Sequence, residues 1–107
     1  MKYEISQGQY VDFVNTLLSD QGAARQIVNG ANRMAITGTW PVNVAGAPHR
    51  AMALLSWTDL LAYLDWSALR PMSELEFEKI ARGPVAPVAG EYAWGTDLIT
   101  DANTFVA

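Results

Sequence analysis

The sequence contains no cysteine and only one histidine among its 107 residues. The absence of cysteine excludes disulfides, thiolate metal ligands and a cysteine nucleophile within this chain. Charged residues make up 17% of the sequence and hydrophobic residues 50%, which is a low charged fraction for a domain of this size. Such a chain either folds compactly or leaves apolar surface for a partner.

Basic residues are also scarce, because 7 lysines and arginines stand against 11 acidic residues and the formal net charge is −4. This balance, without a basic patch among the aromatic residues, argues against nucleic acid as the main partner. No stretch approaches the length of a membrane span, and Met1–Glu4 lacks the features of a secretory signal. We therefore expect one domain over residues 1–107, with no nucleic-acid or membrane partner and a cytoplasmic location by default.

The first helix signal begins after Ser6, which is an N-cap candidate. The apolar residues that follow recur at the spacing of one helical face: Tyr10, Phe13, Val14 and Leu17. This pattern predicts a helix from about Gln7 to Leu18, ended by Ser19–Gly22. Residues 2–5 alternate polar and apolar side chains and predict a short strand or an extended entry to the helix.

Between residues 23 and 50 the signals for regular structure are weaker. Gly30, Asn32 and Gly38 interrupt any helical period. Thr39–Val44 contains strand-forming residues, and its proline restricts such a strand to a sheet edge or a strand start. Ala45–Arg50 includes glycine and proline and predicts a loop.

A second helix is predicted to begin at Ser56, with Asp59 three residues later as a capping-box variant. The apolar residues of this segment predict a broad buried stripe: Trp57, Leu60, Leu61 and Leu64, widened by Tyr63 and Trp66. Ser67–Leu69 is expected to close the helix.

The strongest local signal is the segment Ser73–Gly83. Ser73 and Glu76 form a capping box, acidic residues crowd the first turn, and the terminal glycine is suited to end a helix. One face is apolar, and we expect it to be buried: Phe77, Ile80 and Ala81. The loop that follows carries Tyr92 and Trp94, which we expect to pack back onto the core.

Three motifs in order resemble the formylglycine-generating enzyme family, also called sulfatase-modifying factors. One is R-P-M-S-E-L-E-F-E over residues 70–78, followed by A-R-G at 81–83 and Y-A-W-G at 92–95. The others are S-W-x-D at 56–59, with the aromatic residues of that helix, and K-Y-E-I-S with the tyrosine and phenylalanine that follow it. Together these motifs cover most of the chain.

The resemblance implies an α+β fold, namely a partial C-type-lectin-like arrangement with two or three helices, short irregular antiparallel strands and long loops. It also implies that residues 1–107 correspond to the amino-terminal half of the family's domain. The family's catalytic cysteine pair, which binds copper and activates oxygen, would then lie beyond Ala107. We therefore expect no catalytic residue and no copper site in this chain, and no required cofactor.

The candidate site residues have a structural alternative in each case. His49 and Arg50 could contact an anionic ligand, although an exposed loop pair is the simpler interpretation. Trp94 could join the other tryptophans in an aromatic ligand surface, although core packing is favoured for them: Trp40, Trp57 and Trp66.

Two further sets of residues have a metal or an acid–base interpretation. By resemblance, Asn103 and Thr104 could belong to a calcium site, with Asp97 or Asp101 as further oxygen ligands; an ordinary polar loop is favoured over it. The three glutamates at 74, 76 and 78 could suggest acid–base chemistry. Helix capping and ion pairing with Arg70 or Arg82 explain them more simply.

These observations favour a non-catalytic binding or assembly module. Its apolar flank would be buried by self-association as a dimer, or by a complementary chain. Two alternatives stay open. The chain could be a fragment or subunit of a full oxidase whose catalytic cysteine half lies elsewhere, or a lectin-like module that binds a small ligand or peptide.

Overall fold

The computed structural model describes residues 4–31, 33–92 and 94–99 of the chain. Its first helix, α1, spans Gln7–Thr16. The helix begins where the sequence predicts, because the Gln9 N–H donates to the Ser6 hydroxyl and the Ser6 N–H donates to the Gln9 side chain. Its predicted end at Leu18 is wrong. Leu17 already has an extended backbone. Ser19–Gly22, which the sequence predicted to end α1, is instead the first part of a second helix, α2, over Ser19–Arg25.

A two-stranded antiparallel sheet follows, formed by β1 at Ile36–Thr37 and β2 at Val44–Ala45. The strand predicted over residues 39–44 is therefore wrong except at its last residue. Residues 38–43 turn the chain between the strands, with the Val42 N–H donating to the Thr39 carbonyl at 2.9 Å. Gly38 has a φ of 96° in this turn, a conformation that glycine adopts readily.

The extended segment after the sheet pairs with the entry to α1. Ser6 and Ala51 form an antiparallel bridge, and the Met52 N–H donates to the Ile5 carbonyl at 2.7 Å. The predicted extended entry is thus present at its last residues, while residues 1–3 lie outside the described part. The predicted loop at 45–50 is shortened by one residue, because Ala45 belongs to β2.

Two more helices complete the described elements: α3 at Trp57–Trp66 and α4 at Glu74–Arg82. Both begin at the predicted capping boxes, and Gly83 ends α4 with a φ of 70°. The described residues therefore form an α+β fold with four helices, where the sequence predicted two or three. None of the described helices has the combination of length and apolar character that crossing a membrane requires.

The chain divides into two compact units, Met1–Arg70 and Pro71–Ala107. In the first unit an aromatic core joins α1 to α3. Tyr10, Phe13 and Tyr63 are buried, and the Phe13 and Tyr63 rings meet edge to face with centroids 5.7 Å apart. Trp40 is half-buried against this core, and a β-carbon at Gly22 would overlap its indole.

Only part of the predicted α3 stripe is buried, namely Tyr63 and Leu64 with Leu60 partly covered. Trp57, Leu61 and Trp66 are exposed, so the prediction is wrong for them, although Trp66 still contacts the rings of Phe13 and Tyr63. The physical reason is that α3 is apolar on nearly all sides. Its spacing therefore does not determine which strip α1 covers.

The second unit departs further from the predicted burial. None of the apolar side chains of α4 is buried, and Phe77 and Ile80 are 53% and 71% exposed. Tyr92 and Trp94, expected to pack onto the core, are also exposed. The amphipathic pattern identified the apolar side of α4 correctly, but such a pattern does not specify what covers that side.

Burial of Tyr10 makes the stability of the first unit sensitive to alkaline pH. Desolvation, and then the Asp59 charge, raise the pKa of Tyr10 above its ordinary value, while the nearby Arg25 lowers it by less. The folded pKa of Tyr10 therefore exceeds its unfolded pKa of about 10, so the contribution of Tyr10 to stability should be constant below about pH 10 and fall above it. The fall for one such tyrosine approaches about 1.4 kcal/mol per pH unit.

Urea unfolding measured at neutral and at alkaline pH checks this expectation. The Tyr10→Phe variant should lose about 1 kcal/mol at neutral pH, because the Tyr10 hydroxyl donates to the Arg25 carbonyl at 2.9 Å. Its stability should then decline less steeply above about pH 10. If the free energy of unfolding declined equally steeply above about pH 10 in both proteins, the attribution of this pH dependence to Tyr10 would be contradicted.

Candidate functional site

The turn that carries His49 and Arg50 lies against the start of α1. Within the turn, the Arg50 N–H donates to the Ala47 carbonyl at 3.1 Å. The Gln7 N–H donates to the Arg50 carbonyl at 2.8 Å, and the Gly8 N–H donates to the Pro48 carbonyl at 3.0 Å. The backbone of this turn therefore satisfies the first free N–H groups of α1, which would otherwise attract an anion.

The close approach of the turn explains a glycine in the first turn of α1. A β-carbon at Gly8 would lie 2.9 Å from the Pro48 β-carbon and 3.1 Å from its carbonyl oxygen. His49 and Arg50 are exposed at the surface of this turn. Because the helix N-terminus beneath is already capped, the turn has a structural role through its backbone, and the proposed contact of these two side chains with a ligand stays a prediction.

Trp94 lies in the second unit, within a tight turn. Its ring stacks on Tyr92, with centroids 4.6 Å apart and planes 15° from parallel. The Trp94 indole N–H donates to the Thr96 hydroxyl at 3.1 Å and to the Leu98 carbonyl at 3.2 Å. The Gly95 N–H donates to the Tyr92 carbonyl at 2.9 Å, which closes the turn. These bonds hold an exposed aromatic pair in a defined orientation, which we call the aromatic stack.

Arg82 connects the aromatic stack to the last turn of α4. Its guanidinium donates to the Glu91 carboxylate and to the Tyr92 carbonyl, each at 2.9 Å, and lies 3.5 Å from the Glu78 carboxylate. The side chain of Arg82 is only 6% exposed. Its positive charge is thus neutralised within the unit, and the pairing of Arg82 with one of the glutamates is confirmed.

The other role expected of these glutamates is also present. The Ser73 N–H donates to the Glu76 carboxylate at 2.8 Å, which caps α4. Glu91 was missed as a partner of Arg82. It lies nine residues beyond the arginine, in a loop whose sequence predicts no regular spacing, so its opposite charge was the available signal for the pairing.

Metal ligands are restricted by the composition of the chain. Copper binding through thiolates requires cysteine, and these 107 residues contain none. Thiolate ligands would therefore have to come from residues outside this sequence. Within the described ranges, no group of three or more histidine, aspartate or glutamate side chains is placed to hold a metal. Asn103 and Thr104, with Asp101, lie outside the described residues, and the calcium site stays a prediction.

The described residues form a small α+β protein. The serine, glutamate and arginine side chains described above form helix caps and ion pairs. The family of the sulfatase-modifying factor enzyme 1-like domain matches residues 1–107, and the chain belongs to this family. The resemblance inferred from the sequence motifs is thus confirmed.

One characterised relative is the formylglycine-generating enzyme of Streptomyces coelicolor, to which the chain is 38% identical over 56 residues. The aligned stretch covers 52% of this chain and 17% of the relative. The chain thus matches a small fraction of that enzyme's length. No solved structure matches the chain at a significant level.

Proposed function

We propose that this chain is a non-catalytic assembly module of the sulfatase-modifying factor family and that it forms a symmetric dimer. The observation that carries the proposal is an exposed apolar patch on α3, made by Trp57 and Leu61. Trp57 is 62% exposed, and Leu61 follows it by one helical turn on the same face. Exposed apolar side chains grouped in this way are typical of interaction surfaces.

The charges around this α3 patch are compatible with a second copy as the partner. Residues 1–70 contain five acidic and five basic side chains, so this unit has no net charge that opposes pairing with itself. Asp59 is already paired with Arg25 at 3.0 Å. In an antiparallel pairing of two α3 helices, Asp65 of each copy would approach the positive N-terminal end of the other helix.

Size-exclusion chromatography with light scattering tests this proposal. We expect a dimer at micromolar concentration, and we expect Trp57→Ser to raise its dissociation constant at least about tenfold, because large aromatic residues dominate such interfaces. Trp94→Ser is the matched control, since Trp94 is a similarly exposed tryptophan of the second unit. A clean monomer, or an equal effect of the two variants, would contradict the proposal.

A second candidate function is favoured by the family match over the whole of residues 1–107. In this alternative the chain is part of a complete formylglycine-generating enzyme, and the catalytic cysteines come from polypeptide outside these residues. A cysteine-containing continuation of the gene would favour this alternative. The C-type-lectin-like arrangement and binding of a small ligand at His49, Arg50 or Trp94 also stay proposals.

A further inference from the structure

The net charge of this protein is confined to one of its two units. Residues 71–107 carry six acidic and two basic side chains, which accounts for the whole net charge of −4. One of the two basic residues, Arg82, is held by Glu78 and Glu91 and is nearly inaccessible. The surface of the second unit is therefore strongly biased towards negative charge.

The apolar face of α4 lies within this negative surface. Phe77, Ile80 and Ala81 are all exposed and share one side of the helix. At about 100° per residue around the helix axis, Phe77 lies between Ile80 and Ala81, Glu74 borders this side next to Ala81, and Glu76 borders it next to Ile80. We call this surface, with its two bordering glutamates, the acid-rimmed face.

A second copy of the chain is a poor partner for the acid-rimmed face. Pairing this face with itself would bring the glutamates of two copies together along both borders, and like charges at an interface are unfavourable. A partner with lysine or arginine beside apolar side chains would bury Phe77 and Ile80 and place its cations next to the glutamates. The negative charge of this unit therefore favours a positively charged partner.

The aromatic stack adds a second feature that suits a cationic partner. Arg82 holds the backbone of Tyr92 at the C-terminal end of α4, and the stacked rings of Tyr92 and Trp94 are exposed. A lysine or arginine side chain over the face of an exposed tryptophan or tyrosine gains a cation–π interaction. The fixed turn orients these rings before any partner arrives.

We propose that the second unit binds a basic amphipathic segment of another protein through the acid-rimmed face and the aromatic stack. This proposal concerns Pro71–Ala107 and is independent of the dimer proposed through α3, which uses a different unit. Apolar side chains of the segment contact Phe77 and Ile80. Its lysine or arginine side chains lie next to Glu74 and on the rings of Tyr92 and Trp94.

Fluorescence anisotropy with labelled synthetic peptides tests this proposal on the full chain. The probe is a short helical peptide of Leu-Lys-Lys-Leu repeats, and the matched peptide has glutamate in place of lysine. We expect the lysine peptide to bind and the glutamate peptide not to bind. Phe77→Ser should weaken binding of the lysine peptide at least about fivefold through lost apolar contact, and Glu74→Gln about threefold.

Leu75→Ser provides the matched control on the same helix. Leu75 is exposed like Phe77 but lies about 160° away around the helix axis, so this variant should bind as the unchanged protein does. Ile80→Ser should repeat the effect of Phe77→Ser, and far-UV circular dichroism of each variant verifies that α4 is intact.

Two results would overturn the proposal. Equal binding by the Phe77→Ser and Leu75→Ser variants would show charge attraction without an apolar contact. Loss of the dimer in Phe77→Ser, measured by light scattering, would instead assign this face to a second copy. Because Trp57→Ser tests α3 separately, failure of the dimer and failure of peptide binding are distinguishable.

Discussion

Replacing Phe13 with alanine should lower the free energy of unfolding by about 3–5 kcal/mol, which is the largest single effect expected in this protein. Phe13 is 1% exposed, and its ring packs against three other aromatic rings. The distances between ring centroids are 5.6 Å to Tyr10, 5.7 Å to Tyr63 and 5.6 Å to Trp66. Its removal therefore takes apolar area from the core and leaves a cavity between α1 and α3. The total free energy of unfolding of a domain is typically about 5–15 kcal/mol, so this loss is a large fraction of its stability.

Urea unfolding followed by far-UV circular dichroism measures this effect. Phe77→Ala is the matched control, because the same atoms are removed from a side chain that is 53% exposed. We expect the control to lose less than about 1 kcal/mol. If both variants lost the same stability, the aromatic core described for the first unit would be wrong.

Replacing Gln7 with leucine should cost about 2–4 kcal/mol, although leucine is similar in size and more apolar. Gln7 is fully buried, and its side-chain amide donates to the carbonyls of Arg33 and Ala51 at 3.0 and 3.3 Å. Its side-chain oxygen accepts the Ala35 N–H at 3.0 Å. Leucine would leave these three backbone groups without their partner in the interior, which is unfavourable.

Hydrogen exchange separates this local effect from a general loss of stability. The Ala35 amide should exchange much faster in Gln7→Leu, beyond the change expected from the lower global stability. Gln21→Leu on α2 is the control, because Gln21 is exposed and its substitution should change stability by less than about 0.5 kcal/mol. An unchanged Ala35 exchange rate would contradict the hydrogen bond to Gln7.

Gln7 also illustrates which residues the sequence does not identify. A glutamine in the first turn of a helix is usually a surface residue, and the sequence predicts nothing more for it. Its burial arises because the 33–35 and 51–52 segments converge on the start of α1. These segments are 26 to 44 residues away along the chain, so no local pattern indicates the contact.

The candidate site shows the same division between local and distant information. The pairing of Glu78 with Arg82 was predictable, because residues four apart on a helix are neighbours. The contacts of Arg82 with Glu91 and Tyr92 depend on how the following loop returns to α4, and the sequence did not predict them. The capping of α1 by the His49–Arg50 turn was missed for the same reason.

The sequence by itself determined the starts of α1, α3 and α4, the apolar side of α4, the family and the absence of thiolate chemistry in these residues. Each of these depends on composition or on residues within a few positions of one another, where hydrogen bonds such as Ser73 to Glu76 form locally. Only the tertiary structure decided which strip of α3 is buried and that α4 exposes Phe77. Burial depends on which distant segments converge on a surface, and a local spacing pattern contains no information about that convergence.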